Sequence, residues 1–126
     1  MKLWIDDIRP APDGYDWITS VNEAINAILI AEKSTAALIK LKKMAGMESD
    51  CDRVAKKYGI ELIDIDHDAG DEANDGGDYI KLLDWLEETG RSYPIRIHSQ
   101  NPVGVENIRR IIGRNGWKMD GKKSGN

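Results

Sequence analysis

The sequence predicts an α/β fold, a single three-layer domain around a short parallel sheet, and two observations lead to this prediction. Four short apolar runs, each typical of a buried strand, alternate with longer stretches whose apolar residues recur at helical spacing. The carboxyl ends of parallel strands form one crevice, so polar groups that follow several strands are expected to converge there. Three of the runs end in such clusters: Asp6-Asp7, Asp66-His67-Asp68 and His98-Ser99-Gln100-Asn101.

The predicted strands cover residues 2–8, 16–19, 61–66 and 93–98. Between the first two, residues 9–14 contain two prolines and a glycine, which forbid a helix. A loop is therefore expected in place of the first crossover helix. The later connections are predicted to be helical, with right-handed crossovers.

The first helix is predicted to open at Ser20, because Ser20 and Glu23 have the spacing of a capping box. It is expected to extend to about Ala45, and a second helix is predicted from Asp50 to Tyr58, closed by Gly59. The helical segment of about residues 31–59 is interpreted as an insertion. It forms either a lid over the site or a surface for oligomerisation.

Two further helices are predicted on either side of the fourth strand. One covers residues 78–88, and the last begins at Pro102 or Val103. Residues 118–126 are mostly polar and predicted to be a disordered tail, so the predicted single domain spans residues 1–117.

Composition and charge restrict the class of protein. A formal net charge of −4 argues against binding of extended nucleic acid, although a local basic patch can still hold a small phosphate ligand. The single cysteine excludes an intramolecular disulfide, and no apolar stretch is long enough to span a membrane. Because the first strand leaves no room for a signal peptide, we expect a cytoplasmic protein.

Carboxylates dominate the predicted site. Asp6 and Asp7 at one strand end, with Asp66 and Asp68 at the next, supply the oxygen ligands that a divalent cation such as Mg²⁺ or Mn²⁺ takes. The alternative is that these aspartates only cap turns. Asp64, two residues before Asp66 in the same strand, is expected to be a surface or helix-capping group rather than a ligand.

The two histidines of the chain, His67 and His98, both lie in the polar clusters. A pair of imidazoles facing one phosphoryl group can act as general base and general acid, since each titrates near neutral pH. The alternative is that each is a hydrogen-bonded strand-end residue with no part in chemistry. Trp4 and Trp17 are expected in the core, with stacking on a base as the other option.

Several groups are candidates for binding a phosphate. Asn101 to Gly104 open the last helix, whose free backbone N–H groups attract an anion. Ser99 either donates a hydrogen bond to the phosphate or caps the loop. Arg9 directly follows the first cluster and Arg109 lies in the last helix, and both can pair with phosphate oxygens.

These motifs resemble those of the cyclic-phosphate processing receiver-like domain, a small family similar to response-regulator receivers. The matching segments are D-D-I-R-P-A-P from Asp6, D-H-D-A-G from Asp66 and H-S-Q-N-P-V-G from His98, within residues 2–30 and 60–113. The resemblance implies a flavodoxin-like sheet of order 2-1-3-4 and a role in prokaryotic or phage nucleotide-signal conflict. It also implies these site residues: Asp6, Asp7, Asp66, His67, Asp68, His98, Ser99 and Asn101.

The chain departs from the receiver pattern in two respects. A phosphotransfer receiver has a fifth strand with an essential lysine, whereas this sequence has only a helix and a tail after Asn101. Phosphorylation of Asp66 as a two-component switch is therefore not expected. The second departure is the segment of about residues 31–59, which the short members of the family lack.

Three functional hypotheses follow. The first is hydrolysis of a cyclic nucleotide or other cyclic phosphate, in which Asp66, His67 and His98 are catalytic and Asp6, Asp7, Asp66 and Asp68 hold the cation. Its ligand-binding residues are Arg9, Ser99, Asn101, Gly104 and Arg109. The second is a binding protein that sequesters a nucleotide immune signal, and the third is a degenerate receiver that contacts other proteins. The expected setting is the cytoplasm of a bacterium or a phage-infected cell, with a homo-oligomer as one option.

Overall fold

A computed structural model describes residues 1–119, with the side chains of residues 71 and 72 outside the description. Its sheet has four parallel strands in the order β2-β1-β3-β4, which confirms the predicted receiver-like topology. The strands are shorter than predicted because the polar clusters lie just beyond them. Their bounds are β1 Lys2–Ile5, β2 Asp16–Ile18, β3 Leu62–Ile65 and β4 Ile95–Ile97.

Four α-helices connect or follow these strands: α1 Val21–Met44, α2 Cys51–Tyr58, α3 Ile80–Glu88 and α4 Pro102–Asn115. Short 3₁₀ turns precede α2, at Glu48–Asp50, and α3, at Gly70–Asn74. The predicted cap of α1 is present, since the Ser20 hydroxyl accepts the Glu23 N–H at 3.1 Å. The Glu23 carboxylate accepts the Thr19 N–H at 2.9 Å, which completes the turn into the helix.

The two faces of the sheet are covered differently. Leu3, Ile63 and Ile95 lie in register on one face, in a core cluster to which α1, α3 and α4 contribute buried residues. Trp4, Asp64 and Arg96 lie in register on the other face.

Among the described residues, the layer on that second face is formed by the loop between β1 and β2. Tyr15, at the end of the β1–β2 loop, contacts Trp4 edge-on, and its hydroxyl accepts a hydrogen bond from Arg96 at 2.9 Å. The predicted loop in place of the first crossover helix therefore forms the third layer of the fold. It lies against the same face as Asp64.

The second half of α1 and all of α2 form a helical hairpin. Ala31 is the last buried residue of α1, and further along the same helix Leu41 and Met44 are exposed. The Met1 amino group, at the start of β1, donates to the carbonyl of Gly59, which follows α2, at 2.9 Å. The hairpin therefore contacts the edge of the sheet where the strands begin. The polar clusters lie at the opposite edge, where the strands end, and this position argues against a lid over the site.

The segment after α4 returns to β4. Ile95 N–H donates to the Lys118 carbonyl at 3.0 Å, and Met119 forms an isolated parallel bridge with Ile95. The rest of the predicted disordered tail lies outside the described residues. Within the described part of the chain, no helix combines the length and the apolar character needed to cross a membrane.

Candidate functional site

Three carboxylates meet at the carboxyl edge of the sheet. Asp6 and Asp7 follow β1 and Asp66 follows the neighbouring strand β3, and one oxygen from each lies within 4.8 Å of the others. Carboxylate oxygens are the ligands that hard divalent cations take, so this cluster could hold a metal ion. The convergence expected from the strand ends is therefore present for these three residues.

Asp6 is fully buried and is held by several donors. Its Oδ1 accepts the backbone N–H groups of Ile8 at 2.9 Å and Arg9 at 3.0 Å, and its Oδ2 lies 2.9 Å from His98 Nε2. Burial opposes ionisation of Asp6, but the hydrogen bonds from Arg9, Ile8 and His98 outweigh it and hold its pKa below the usual value. Asp6 therefore enters the site as a fixed negative charge.

Asp7 packs against a glycine that a larger residue cannot replace without a clash. Gly70 has a φ of 56°, and a Cβ placed on it would lie 2.4 Å from Asp7 Oδ2. The close approach explains the glycine in the acidic loop after β3. The missing side chain at position 70 leaves space for the Asp7 carboxylate.

His67 is oriented by its neighbour. Its Nδ1 lies 2.7 Å from Asp68 Oδ1, which fixes the hydrogen on Nδ1 and leaves Nε2 as the basic nitrogen. Asp68 Oδ2 in turn accepts a long hydrogen bond from Asn101, at 3.4 Å. The predicted fourth metal ligand, Asp68, therefore lies outside the three-carboxylate cluster and is engaged in holding the imidazole.

Gly104 makes room for the His67 ring. A Cβ at position 104 would lie 2.3 Å from His67 Cγ, although Gly104 is inside α4, where glycine is normally unfavourable. Its N–H is not open to an anion, because it donates to the Asn101 side chain at 3.1 Å. Gly104 was predicted to bind ligand, and in the structure it contacts the histidine.

His98 is enclosed. Its Nε2 faces Asp6, its Nδ1 lies 2.7 Å from Asp64 Oδ1, and its ring stacks on Trp4 with centroids 3.7 Å apart. The prediction that Asp64 is a surface or capping group was wrong, since Asp64 is 2% exposed. Asp64 lies in register with Trp4 and Arg96, on the face of the sheet opposite to Ile63 and Ile65, and it is this register that explains its burial.

The other predicted ligand-binding residues differ in position. Arg9 is partly exposed, with Nη1 donating to the His98 carbonyl at 3.1 Å and Nε 3.5 Å from Asp6 Oδ2. The Ser99 hydroxyl accepts the Asn101 N–H at 3.1 Å, as in the loop-capping alternative. Arg109 is exposed on α4, and none of the contacts found among residues 1–119 joins it to the carboxylates.

Comparison with known proteins agrees with this geometry. The family model for the cyclic-phosphate processing receiver domain matches residues 1–114. Searches of curated proteins and of solved structures found no match. The match covers the sheet, the three carboxylates and both histidines, and on this basis the chain belongs to the family of cyclic-phosphate processing receiver domains.

Proposed function

We propose that the protein hydrolyses a cyclic phosphodiester, with a cyclic nucleotide as the substrate and Mg²⁺ or Mn²⁺ as the cofactor. The observation that carries the proposal is the carboxylate cluster of Asp6, Asp7 and Asp66 together with an oriented imidazole. The imidazole is that of His67, which follows Asp66 in the sequence and is oriented by Asp68. A carboxylate cluster and an oriented imidazole are the two parts that metal-assisted hydrolysis of a phosphodiester needs.

The donor set suits a hard divalent cation. Asp7 and Asp66 are less buried than Asp6 and would supply oxygen ligands, while the hydrogen bonds to Asp6 fix that carboxylate beside them. When bound, such a cation neutralises charge on the phosphoryl oxygens. Arg9 is exposed enough to add a guanidinium contact to the same phosphate.

His67 is the proposed general base. With Nδ1–H held by Asp68, its Nε2 takes a proton from water as the water oxygen forms a bond to phosphorus. The bond from phosphorus to the ester oxygen of the ring breaks, and that oxygen takes a proton from solvent. His98 has both ring nitrogens engaged by buried carboxylates, so we assign it to positioning and not to proton transfer.

Exposed apolar groups beside the carboxylates support a nucleotide over a smaller phosphate. The Trp17 indole donates to the Asp6 carbonyl at 2.7 Å and is 44% exposed, and Ile8, which donates its N–H to Asp6, is 78% exposed. A flat indole and an aliphatic side chain can contact the face of a base. These two residues are candidates for base contacts.

Sequestration without turnover is the second candidate function. The observation that favours it is the enclosure of His98, which leaves one oriented imidazole where the predicted pair would have supplied both a base and an acid. Unless solvent protonates the leaving oxygen, a protein with the same phosphate contacts would retain its ligand intact.

One experiment separates the two functions. The purified protein is incubated with cyclic mono-, di- and trinucleotides in Mn²⁺, Mg²⁺ or EDTA, and the denatured mixture is analysed by chromatography. Linear products that need the metal and disappear in Asp66→Asn support hydrolysis. Intact nucleotide released only on denaturation supports sequestration. Glu48→Gln, which alters an exposed carboxylate at the distal hairpin, is the matched control and should behave as the unaltered protein.

A further inference from the structure

Beneath the three carboxylates lies a fourth, Asp64, which is not close enough to join them as a ligand. It sits in the middle of β3, and its side chain is 3% exposed. Its Oδ1 faces His98 Nδ1 at 2.7 Å, and its Oδ2 lies 3.6 Å from Arg96 Nη1. Asp64 is therefore fixed from two sides while its own contact toward the site passes through His98.

His98 transmits that contact. Its ring stacks on the Trp4 indole at an interplanar angle of 4°. Its second ring nitrogen, Nε2, lies 2.9 Å from Asp6 Oδ2. A ring held flat against an indole and bonded at both nitrogens cannot rotate without losing a contact. The orientation of His98 is thus set by Asp64 and Trp4 together.

Asp6 in turn stabilises the turn that contains Asp7. Asp6 Oδ1 accepts the N–H groups of Ile8 and Arg9, the two residues after Asp7. A displacement of Asp6 would loosen this turn and with it the placement of the Asp7 carboxylate. A series of hydrogen bonds thus runs from Asp64 through His98 to Asp6, a member of the cluster, and on to the two residues that follow Asp7.

Folding alone does not account for a carboxylate at this position. The other three positions of β3 carry Leu62, Ile63 and Ile65, all buried, and a buried charge is stable only when it is paired. An apolar residue would pack in the strand without that requirement. The contact of the Asp64 carboxylate with His98 gives a reason for a charged residue at this position.

We infer that Asp64 is a positioning residue that sets the affinity of the three-carboxylate cluster for a divalent cation, acting through His98. The inference rests on the proposed cation site. Hydrogen-bond partners of metal ligands typically change metal affinity about 10–100-fold when they are altered. Asp64 would change the metal affinity through His98, so it lies one residue further from the cation than a direct hydrogen-bond partner of a ligand.

The test measures Mn²⁺ binding by electron paramagnetic resonance of the free ion, so it does not depend on turnover. Asp64→Asn is expected to weaken Mn²⁺ binding at least about tenfold while the metal-free protein stays folded by circular dichroism. Glu32→Gln is the matched control, because Glu32 is also paired with an arginine, Arg91, but lies in α1 away from the cluster. Its Mn²⁺ affinity should equal that of the unaltered protein.

A double-mutant cycle tests the route through His98. His98→Gln removes the ring nitrogen that faces Asp64, so adding Asp64→Asn to it should produce no further loss of affinity. A further tenfold loss in that background would overturn the inference, as would unchanged affinity in Asp64→Asn alone. If the single variant Asp64→Asn does not fold, the single variant His98→Gln can still be compared with the double variant that carries both substitutions. Absence of Mn²⁺ binding in the unaltered protein would instead refute the proposed cation site itself.

Discussion

The loops after β3 and β4 each present one histidine at the same edge of the sheet, yet they hold it differently. Among the described residues, one ring nitrogen of His67 is engaged, by an aspartate whose side chain is 59% exposed. Both ring nitrogens of His98 are engaged, by aspartates that are at most 3% exposed. In the proposed mechanism, the first arrangement leaves a basic nitrogen for a reactant, and the second holds the ring within the protein. Residue type and strand-end position therefore do not decide the role of a histidine, and the partners of its two nitrogens do.

Substitution of the histidines themselves should give the largest difference between the two loops. His67→Ala is expected to lower kcat about 10²–10⁴-fold because a general base is lost, with Mn²⁺ affinity unchanged. His98→Gln is expected to weaken Mn²⁺ binding first, and its turnover should recover at high Mn²⁺. Steady-state kinetics over a Mn²⁺ titration separates these outcomes. Recovery of His67→Ala by excess Mn²⁺ would contradict the assignment.

The glycine behind His67 offers the next test. Gly104→Ala would force the imidazole to move, since a Cβ would lie 2.3 Å from His67 Cγ, and a misplacement of this size lowers kcat by up to about 10²-fold. Gly113→Ala is the matched control in the same helix, where a Cβ meets nothing within 4 Å. That control should keep its kcat and gain about 0.5–1 kcal/mol of stability by urea unfolding. Equal kcat values in the two variants would show that the position of His67 does not matter.

A smaller effect is expected at the loop that supports Asp7. Gly70→Ala introduces a Cβ 2.4 Å from Asp7 Oδ2, so Mn²⁺ affinity should fall about tenfold. Gly14→Ala is the control, because Gly14 also has a positive φ, 87°, but a Cβ placed on it would meet no atom within 4 Å. Both substitutions strain the backbone by about 1–2 kcal/mol, and only the first should alter Mn²⁺ binding. A loss of affinity in both would point to general destabilisation.

The smallest predicted effect is on acid stability. Because the pKa of Asp6 is lowered in the folded protein, its contribution to stability is present above the unfolded value of 3.8 and is lost as pH falls through the folded value. His98 is one of the groups that lower this pKa, so His98→Gln should lose less stability between about pH 5 and pH 2.5 than the unaltered protein. His67→Ala should match the unaltered protein, since His67 makes no hydrogen bond to Asp6 among the described contacts. Urea unfolding across this range measures both, and an identical slope for all three proteins would contradict the prediction.

Much of the fold follows from the sequence because apolar periodicity and caps are local signals. The four strands, the capping box at Ser20 and the loop that replaces the first crossover helix were all predicted from neighbouring residues. The convergence of Asp6, Asp7 and Asp66 was also predicted, because strand ends in a parallel sheet have a common edge.

The different hydrogen-bond partners of the two histidines could not be predicted in the same way. They depend on contacts such as Gly104 against His67 and Asp64 against His98, which join residues far apart in the sequence. Asp64 was misassigned because a charged residue in a strand was expected at the surface. Register across three strands, which places Trp4, Asp64 and Arg96 in one row, was needed to correct it.

The helical hairpin gives the molecule a natural point of attachment. With 24 residues, α1 is about 36 Å long, and it carries the chain away from the carboxylates to a turn at Gly46, where a Cβ would meet nothing within 4 Å. Exposed turns of this kind tolerate inserted sequence. A fluorophore or a surface tether placed there would leave the strand ends open to solution, so ligand residence and turnover could be followed on single immobilised molecules.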